Sequence, residues 1–247
     1  MYETHAHSRE ASACAEASVV DLMEALKKAG YTGAFLTNHN WGGNTCVGKE
    51  LKWSEWVDTF FAPYYRAREW GDKNDFQVFC SYEAGYDGTE FLIHGVTPEW
   101  VKRHPEIKDA TIQEQFKLIK DAGGMVVHAH PFREEWYIKE VRLFPEYIDG
   151  VEGVNASHSS PFSHHNVGPE FDERAIAYAM EHNLPMTAGS DIHTTELLYG
   201  GMAFATRLES EQDFIRRVLK KKPSLKRECG ADADDYILCN GDVWINY

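Results

Sequence analysis

Gly123-Gly124-Met125-Val126-Val127-His128-Ala129-His130-Pro131 reads as a short buried strand that ends in a histidine pair. A brief apolar run between a glycine turn and a proline has the length of a strand covered on both faces. Residues two apart on a strand point the same way, so His128 and His130 are expected to share a face. The same step opens the chain as His5-Ala6-His7 and recurs late as Asp191-Ile192-His193, with a carboxylate replacing one imidazole. Neutral imidazole is the commonest metal ligand. A lone histidine in a strand is usually structural, whereas repeated pairs at strand ends favour a metal. His39, after Gly33–Thr37, Glu83, after Phe76–Tyr82, and His94, within Glu90–Val96, also fall at or near strand ends. Strand ends converging on one face of a barrel are where a multi-metal hydrolytic centre can be built.

Working outward, strands alternate with helices. Further strands are expected at Gly150–Asn155, Pro185–Gly189 and Met202–Thr206. Helices are expected at Val19–Ala29, Trp53–Trp70 with a kink near Pro63, Thr111–Ala122, Trp136–Phe144, Asp172–Asn183 and Ser210–Lys220. Asp87-Gly88 joins two strand runs as a hairpin, and Asn240-Gly241 signals another at about 236–247. This order predicts an α/β barrel rather than an open sheet, the scattered ligands deciding between them. One domain over residues 1–247 is expected, with the terminal hairpin covering a barrel end or meeting a second subunit.

The balance of 25 Lys and Arg against 39 Asp and Glu, a net charge of −14, argues against a nucleic-acid partner. No stretch approaches the roughly 20 apolar residues of a membrane span, and Met1-Tyr2-Glu3-Thr4-His5 has no leader pattern. The five cysteines, Cys14, Cys46, Cys80, Cys229 and Cys239, form neither a disulfide framework nor a CxxC site. A cytoplasmic location is the expectation, and no oligomer is indicated.

His5-Ala-His7-Ser, Leu36-Thr-Asn-His39-Asn, Tyr82-Glu83, Phe91-Leu-Ile-His94-Gly, Val127-His-Ala-His130-Pro and Gly189-Ser-Asp191-Ile-His193 together resemble the PHP (polymerase and histidinol phosphatase) family of metal-dependent hydrolases, over about residues 1–207. The resemblance implies a distorted (β/α)7 TIM-like barrel with two or three divalent ions (Zn, Mn or Fe) at the C-terminal ends of its strands. It implies that His5, His7, Glu83 and Asp191 hold one metal, that Glu83, His94 and His130 hold a second, and that His39 and His193 hold a third. Glu83, Asp191 and His130 would form the catalytic core. In two places the chain departs from the family. An Asp or His usually follows the first pair by five or six positions, where this chain has Ser12 and Ala13, with Glu10 nearby as a substitute and Cys14 and Glu16 weaker ones. The family's Thr-Asp-His is Thr37-Asn38-His39 here, which removes a negative charge.

Arg133 is the foremost candidate to bind a substrate phosphate, because guanidinium forks match phosphate oxygens. Arg9 is a second, and Asn155 is expected to face the pocket. His128 is read as a support behind the ligands. The loop carrying Ser157, His158, His164 and His165 is expected to stay in solvent. The leading function is hydrolysis of a small phosphorylated metabolite by metal-activated water. An amide or ester hydrolase on the same barrel is the alternative, followed by an exonuclease and an inactive metal-binding module.

Overall fold

The computed structural model describes residues 1–163, 165–220, 236–240 and 243–244. Its strands are β1 (Tyr2–Ala6), β2 (Gly33–Leu36), β3 (Gln77–Tyr86), β4 (Thr89–His94), β5 (Met125–His128), β6 (Gly150–Asn155), β7 (Met186–Gly189), β8 (Gly201–Phe204), β9 (Tyr236–Asn240) and β10 (Val243–Trp244). The helices are α1 (Val19–Lys28), α2 (Trp53–Lys73), α3 (Pro98–Arg103), α4 (Ile112–Asp121), α5 (Glu170–Glu181) and α6 (Glu211–Lys220).

The strands form one sheet in the order β10-β9-β8-β1-β2-β3-β4-β5-β6-β7. Strands β1–β3 and β5–β7 run parallel, and only β4 among the seven is reversed, because Asp87-Gly88 returns the chain directly beside β3. Thr4 Oγ1 donates to the Ala188 carbonyl at 2.5 Å, and a parallel bridge joins Ala6 to Ile192. These links bring β7 against β1, and the sheet curls into a nearly closed, TIM-like barrel, with β8 beside β1 at the seam. β9 and β10 pair antiparallel at this edge, and the Asn240-Gly241 turn lies partly outside the described residues.

Local chemistry sets the helices. Trp56, Val57, Phe60, Phe61, Tyr64 and Ala67 recur at helical spacing and bury one stripe of α2. α2 runs unbroken through Pro63. Ser18 caps α1, and Thr111 with Glu114 forms a capping box on α4. α3 was absent from the sequence expectations although its signal is present: Thr97 accepts from Trp100 N, and Pro98 occupies the first turn, where no amide is needed.

One expected helix does not form. Residues 132–149 contain no helix or strand, only turns at 132, 136–137 and 145–147 and bends at 140 and 149. Their aromatics are used singly: Phe144 packs on Phe91, while Trp136 is 92% exposed. Without a continuous buried stripe, a helix here has nothing to repay its ordering cost.

Candidate metal centre

Each parallel strand delivers its ligands at its C-terminal end. His5 and His7 leave β1, His39 follows β2, Glu83 lies on β3, His130 follows β5, and Asp191 and His193 follow β7. Glu83 is central. Its Oε1 lies 3.3 Å from His5 Nε2 and 3.1 Å from His130 Nε2, and its Oε2 lies 3.4 Å from His7 Nε2 and 2.8 Å from His39 Nδ1. Asp191 faces it, with Oδ1 3.3 Å from His5 Nε2 and 3.1 Å from His7 Nε2. Three of these side chains could hold an ion together in several combinations: His5-His7-Glu83, His5-His130-Asp191, His7-His39-His193, His39-Glu83-Glu90 and His165-Asp191-His193.

The hydrogen bonds behind the imidazoles decide which nitrogen faces inward. Asn38 Oδ1 accepts from Ser8 N at 2.7 Å and from Ser12 Oγ at 3.0 Å. With its proton committed, Ser12 Oγ accepts from His39 N at 3.0 Å and from His7 Nδ1 at 3.1 Å. His5 Nδ1 donates to Glu152 Oε1 at 2.9 Å, and His193 Nδ1 to the Asp191 carbonyl at 2.8 Å. In the neutral form of each ring, therefore, Nε2 carries the lone pair, and these three Nε2 atoms are buried without a hydrogen-bond partner. Histidines tied back through one nitrogen and open at the other are what a metal site requires. Two ligands also sit in the left-handed region, His130 at φ 28° and Asp191 at φ 57°. Such backbones cost about 1–3 kcal/mol each and tend to mark functional positions. At Gly189 a Cβ would come within 2.5 Å of His5 Cβ, so glycine is what lets the His5–Glu152 pair sit under the centre.

The charges are strongly coupled. Burial pushes Glu83 up, but His39, His5 and His130 hold it well below the usual carboxylate range. Asp191 behaves likewise, its burial outweighed by His5 and Arg133. Burial and the cations of His39 and His193 push His7 well down. Glu90 is raised to about 7 by burial and by Glu83. Cys14 falls to about 6, because contacts with His193 and His39 outweigh its burial.

Several expected site residues stand elsewhere. His94 is paired in register with Ser81, two residues below Glu83, and bonds Ser81 Oγ through Nδ1 at 2.8 Å. It packs edge-on against Phe35 and Phe214 and joins none of the ligand groups. The cause is the reversal of β4: an antiparallel strand presents its start, not its end, at the rim. Glu90, near that start, occupies the position instead, its Oε1 3.5 Å from His39 Nδ1. His128 does not share a face with His130, because the chain leaves the strand at His128 and turns through positive φ. It stacks on Phe91, and burial drives it to about 3. Glu10 accepts from Val19 N at the start of α1 and pairs with Arg66. Arg9 is exposed and outside the cavity lining. Asn155 is buried and spends its side chain on Glu152 and Ser157.

Arg133 does reach the centre, but bound on every side. It pairs with Asp191 Oδ2 at 2.7 Å and donates to Ser157 Oγ at 3.0 Å and to His158 Nε2 at 3.3 Å. His158 Nδ1 donates in turn to Asp172 Oδ1 at 2.6 Å. The loop expected in solvent thus supplies His158 as a buried prop, and His165 Nε2 lies 3.4 Å from Asp191 Oδ2; His164 lies outside the described residues. Only loop closure reveals these roles, since no local periodicity marks them. The centre opens into a cavity of about 480 Å³. Its walls include Gly42, Gly43, Gly85, Tyr86, Gly88, Trp136 and Tyr137.

A family segment described as PHP-associated (PHP_C) matches residues 169–223. Among solved structures, the chain is similar to a two-domain protein of Bacteroides vulgatus containing a predicted PHP-like metal-dependent phosphoesterase, with TM-score 0.57 and 17% identity over 78% of this chain. It spans only 52% of that protein. It is also similar to PsfC of Pseudomonas syringae, with TM-score 0.57 and 16% identity over 87% of this chain and 86% of that one. A candidate metal-dependent phosphoesterase of Bifidobacterium adolescentis gives TM-score 0.52 and 16% identity over 89% and 95%. The search of curated proteins gives no match. The fold is that of the PHP-like barrels, and with the PHP-associated segment it bears out the family resemblance of the motifs.

Proposed function

We propose that the chain is a metal-dependent hydrolase and, more narrowly, a phosphoesterase acting on a small phosphorylated molecule. The observation that carries this reading is the set of inward, partnerless Nε2 atoms of His5, His7 and His193 around two carboxylates that each face several imidazoles. A mixed nitrogen and carboxylate set suits Zn, Mn or Fe. His5, His7, His130, Glu83 and Asp191 would hold two ions, and His39 and His193, with Glu90 beside them, would serve a third. When bound, adjacent divalent ions lower the pKa of water to about 7 and polarise phosphoryl or carbonyl oxygens. The protein's part is to fix the ligand rings through Ser12 and Glu152, to hold Asp191 against Arg133, and to admit substrate through the cavity. The net charge of −14 favours a small molecule over nucleic acid as the partner.

One observation favours a second reading, an amide or ester hydrolase. Arg133 is committed to Asp191, Ser157 and His158, which leaves less of its fork for phosphate. Elemental analysis of protein purified without added metal, with phosphomonoester and acyl substrates assayed on the same sample, separates the two. Bound Zn, Mn or Fe with phosphomonoester turnover that chelation abolishes is the expected result. Metal with acyl turnover alone would shift the assignment to the second reading, and failure to bind metal after reconstitution would sink both. Arg133→Ala should raise the phosphomonoester KM while leaving metal content intact.

A further inference from the structure

We propose that Cys14 is a metal ligand, its thiolate completing a site with the imidazoles of His39 and His193; this rests on the metal-centre reading above. The position calls for a donor that the surrounding chain does not otherwise provide. Ser12 is buried, and its hydroxyl is fully used by Asn38, His39 N and His7. Ala13 has no donor atom, and Glu10 is turned away onto α1. Cys14, one residue further on, lines the same cavity as His39 and His193.

A second observation points to a ligand at the same place. His193 Nε2 and His7 Nε2 are buried and lack partners. The His7 ring stacks on His39 at 4.4 Å and on His193 at 4.5 Å between centroids, and one nitrogen from each of the three imidazoles lies close enough to the others to hold one ion. Stacked imidazoles that must share a volume with one another are better served by a cation than by more donors. On binding, the sulfur–hydrogen bond breaks, a sulfur–metal bond forms, and one proton passes to solvent. A thiolate among imidazoles makes this position softer than the carboxylate-rich positions around Glu83 and Asp191, selecting Zn, Fe(II) or Co(II) over Mn or Mg.

The test uses the full chain, freed of metal and titrated with Co(II). Wild-type protein should develop a near-ultraviolet sulfur-to-cobalt charge-transfer band, C14S should lose it while binding one equivalent less cobalt, and C46S should keep it. Because the band is read without turnover, it stands or falls apart from any hydrolase activity. As a second readout on unaltered protein, Cys14 and Cys46 are both exposed, and bound cobalt should protect Cys14 from iodoacetamide while Cys46 still reacts. Cobalt bound with no band, or a band that survives in C14S, would overturn the proposal. No cobalt bound at all would overturn the metal-centre reading with it.

Discussion

Glu90 and His94 lie four positions apart on β4, and the direction of that strand reverses their roles. Motif reading selected His94 because it ends a strand, and strand ends carry the ligands wherever strands run parallel. The Asp87-Gly88 turn in the same sequence signalled a hairpin, and a hairpin puts the start of its second strand at the rim; that inference was available from the residues alone. Glu90→Gln is therefore expected to lower the affinity for the most weakly held ion by about 10- to 100-fold, the range typical of lost support around a metal. Equilibrium dialysis reads this, and an unchanged isotherm would remove Glu90 from the centre. His158 was legible only as a histidine on a polar loop. Its value comes from holding Arg133 Nε while Asp172 fixes its tautomer. If the hydrolase reading holds, His158→Ala should reduce kcat/KM by roughly tenfold with metal content unchanged, whereas loss of metal would show that it acts on the ligands instead.

Where β1 meets β7, the barrel is closed partly by side chains, and Glu3 is one of them. Its Oε1 accepts from His5 N and from Ser190 N, both at 2.9 Å, while its Oε2 is buried without a partner. Burial raises it from 4.5 to about 7. The folded chain therefore keeps this proton to about pH 7, while the unfolded chain releases it near 4.5. Its contribution to stability is complete below the lower value and is lost as the pH rises through the upper one. The full loss is on the order of 3 kcal/mol. In metal-free protein, Glu3→Gln removes that penalty, so its Tm advantage over wild type should grow between pH 5 and pH 8 by about 5–10 °C. A pH-independent difference would mean that Glu3 is ionised throughout. The segment 132–149 teaches the opposite lesson about elements: Trp136, Tyr137 and Phe144 suggested a helix, but Trp136 and Tyr137 line the cavity while Phe144 packs on Phe91.

For the molecule as a whole, the metal-free centre is a dense cluster of coupled charges. His5, His7, His39, His130 and His193 crowd Glu83 and Asp191 at the end of the barrel, with both carboxylates ionised and His5 and His39 held well above their usual range. Ions that bind only the folded state stabilise it by mass action, about 2.7 kcal/mol at 100 times Kd. Saturation with Zn or Mn should accordingly raise the Tm of the metal-free protein by about 5–10 °C, and a chelator should reverse the shift. No change in Tm would argue that these residues do not take up the metal. Among the described residues, no helix is long and apolar enough to cross a membrane. The alternation of strands and helices, the barrel, and the family likeness were all determined by the sequence itself, because hydrophobic period, turn residues and the HxH and DxH steps are local properties that survive without neighbours. His5, His7, His39, Glu83, His130, Asp191 and His193 were legible as candidates for the same reason, since each lies on or just past a parallel strand near the rim. Tertiary structure alone decided that His128 is a packing residue, that Glu10 and Asn155 serve the scaffold, and that His158 and His165 close in behind the centre. Those roles depend on backbone turns past the strand ends and on which distant loop closes over the barrel, and no pattern within a few residues encodes them.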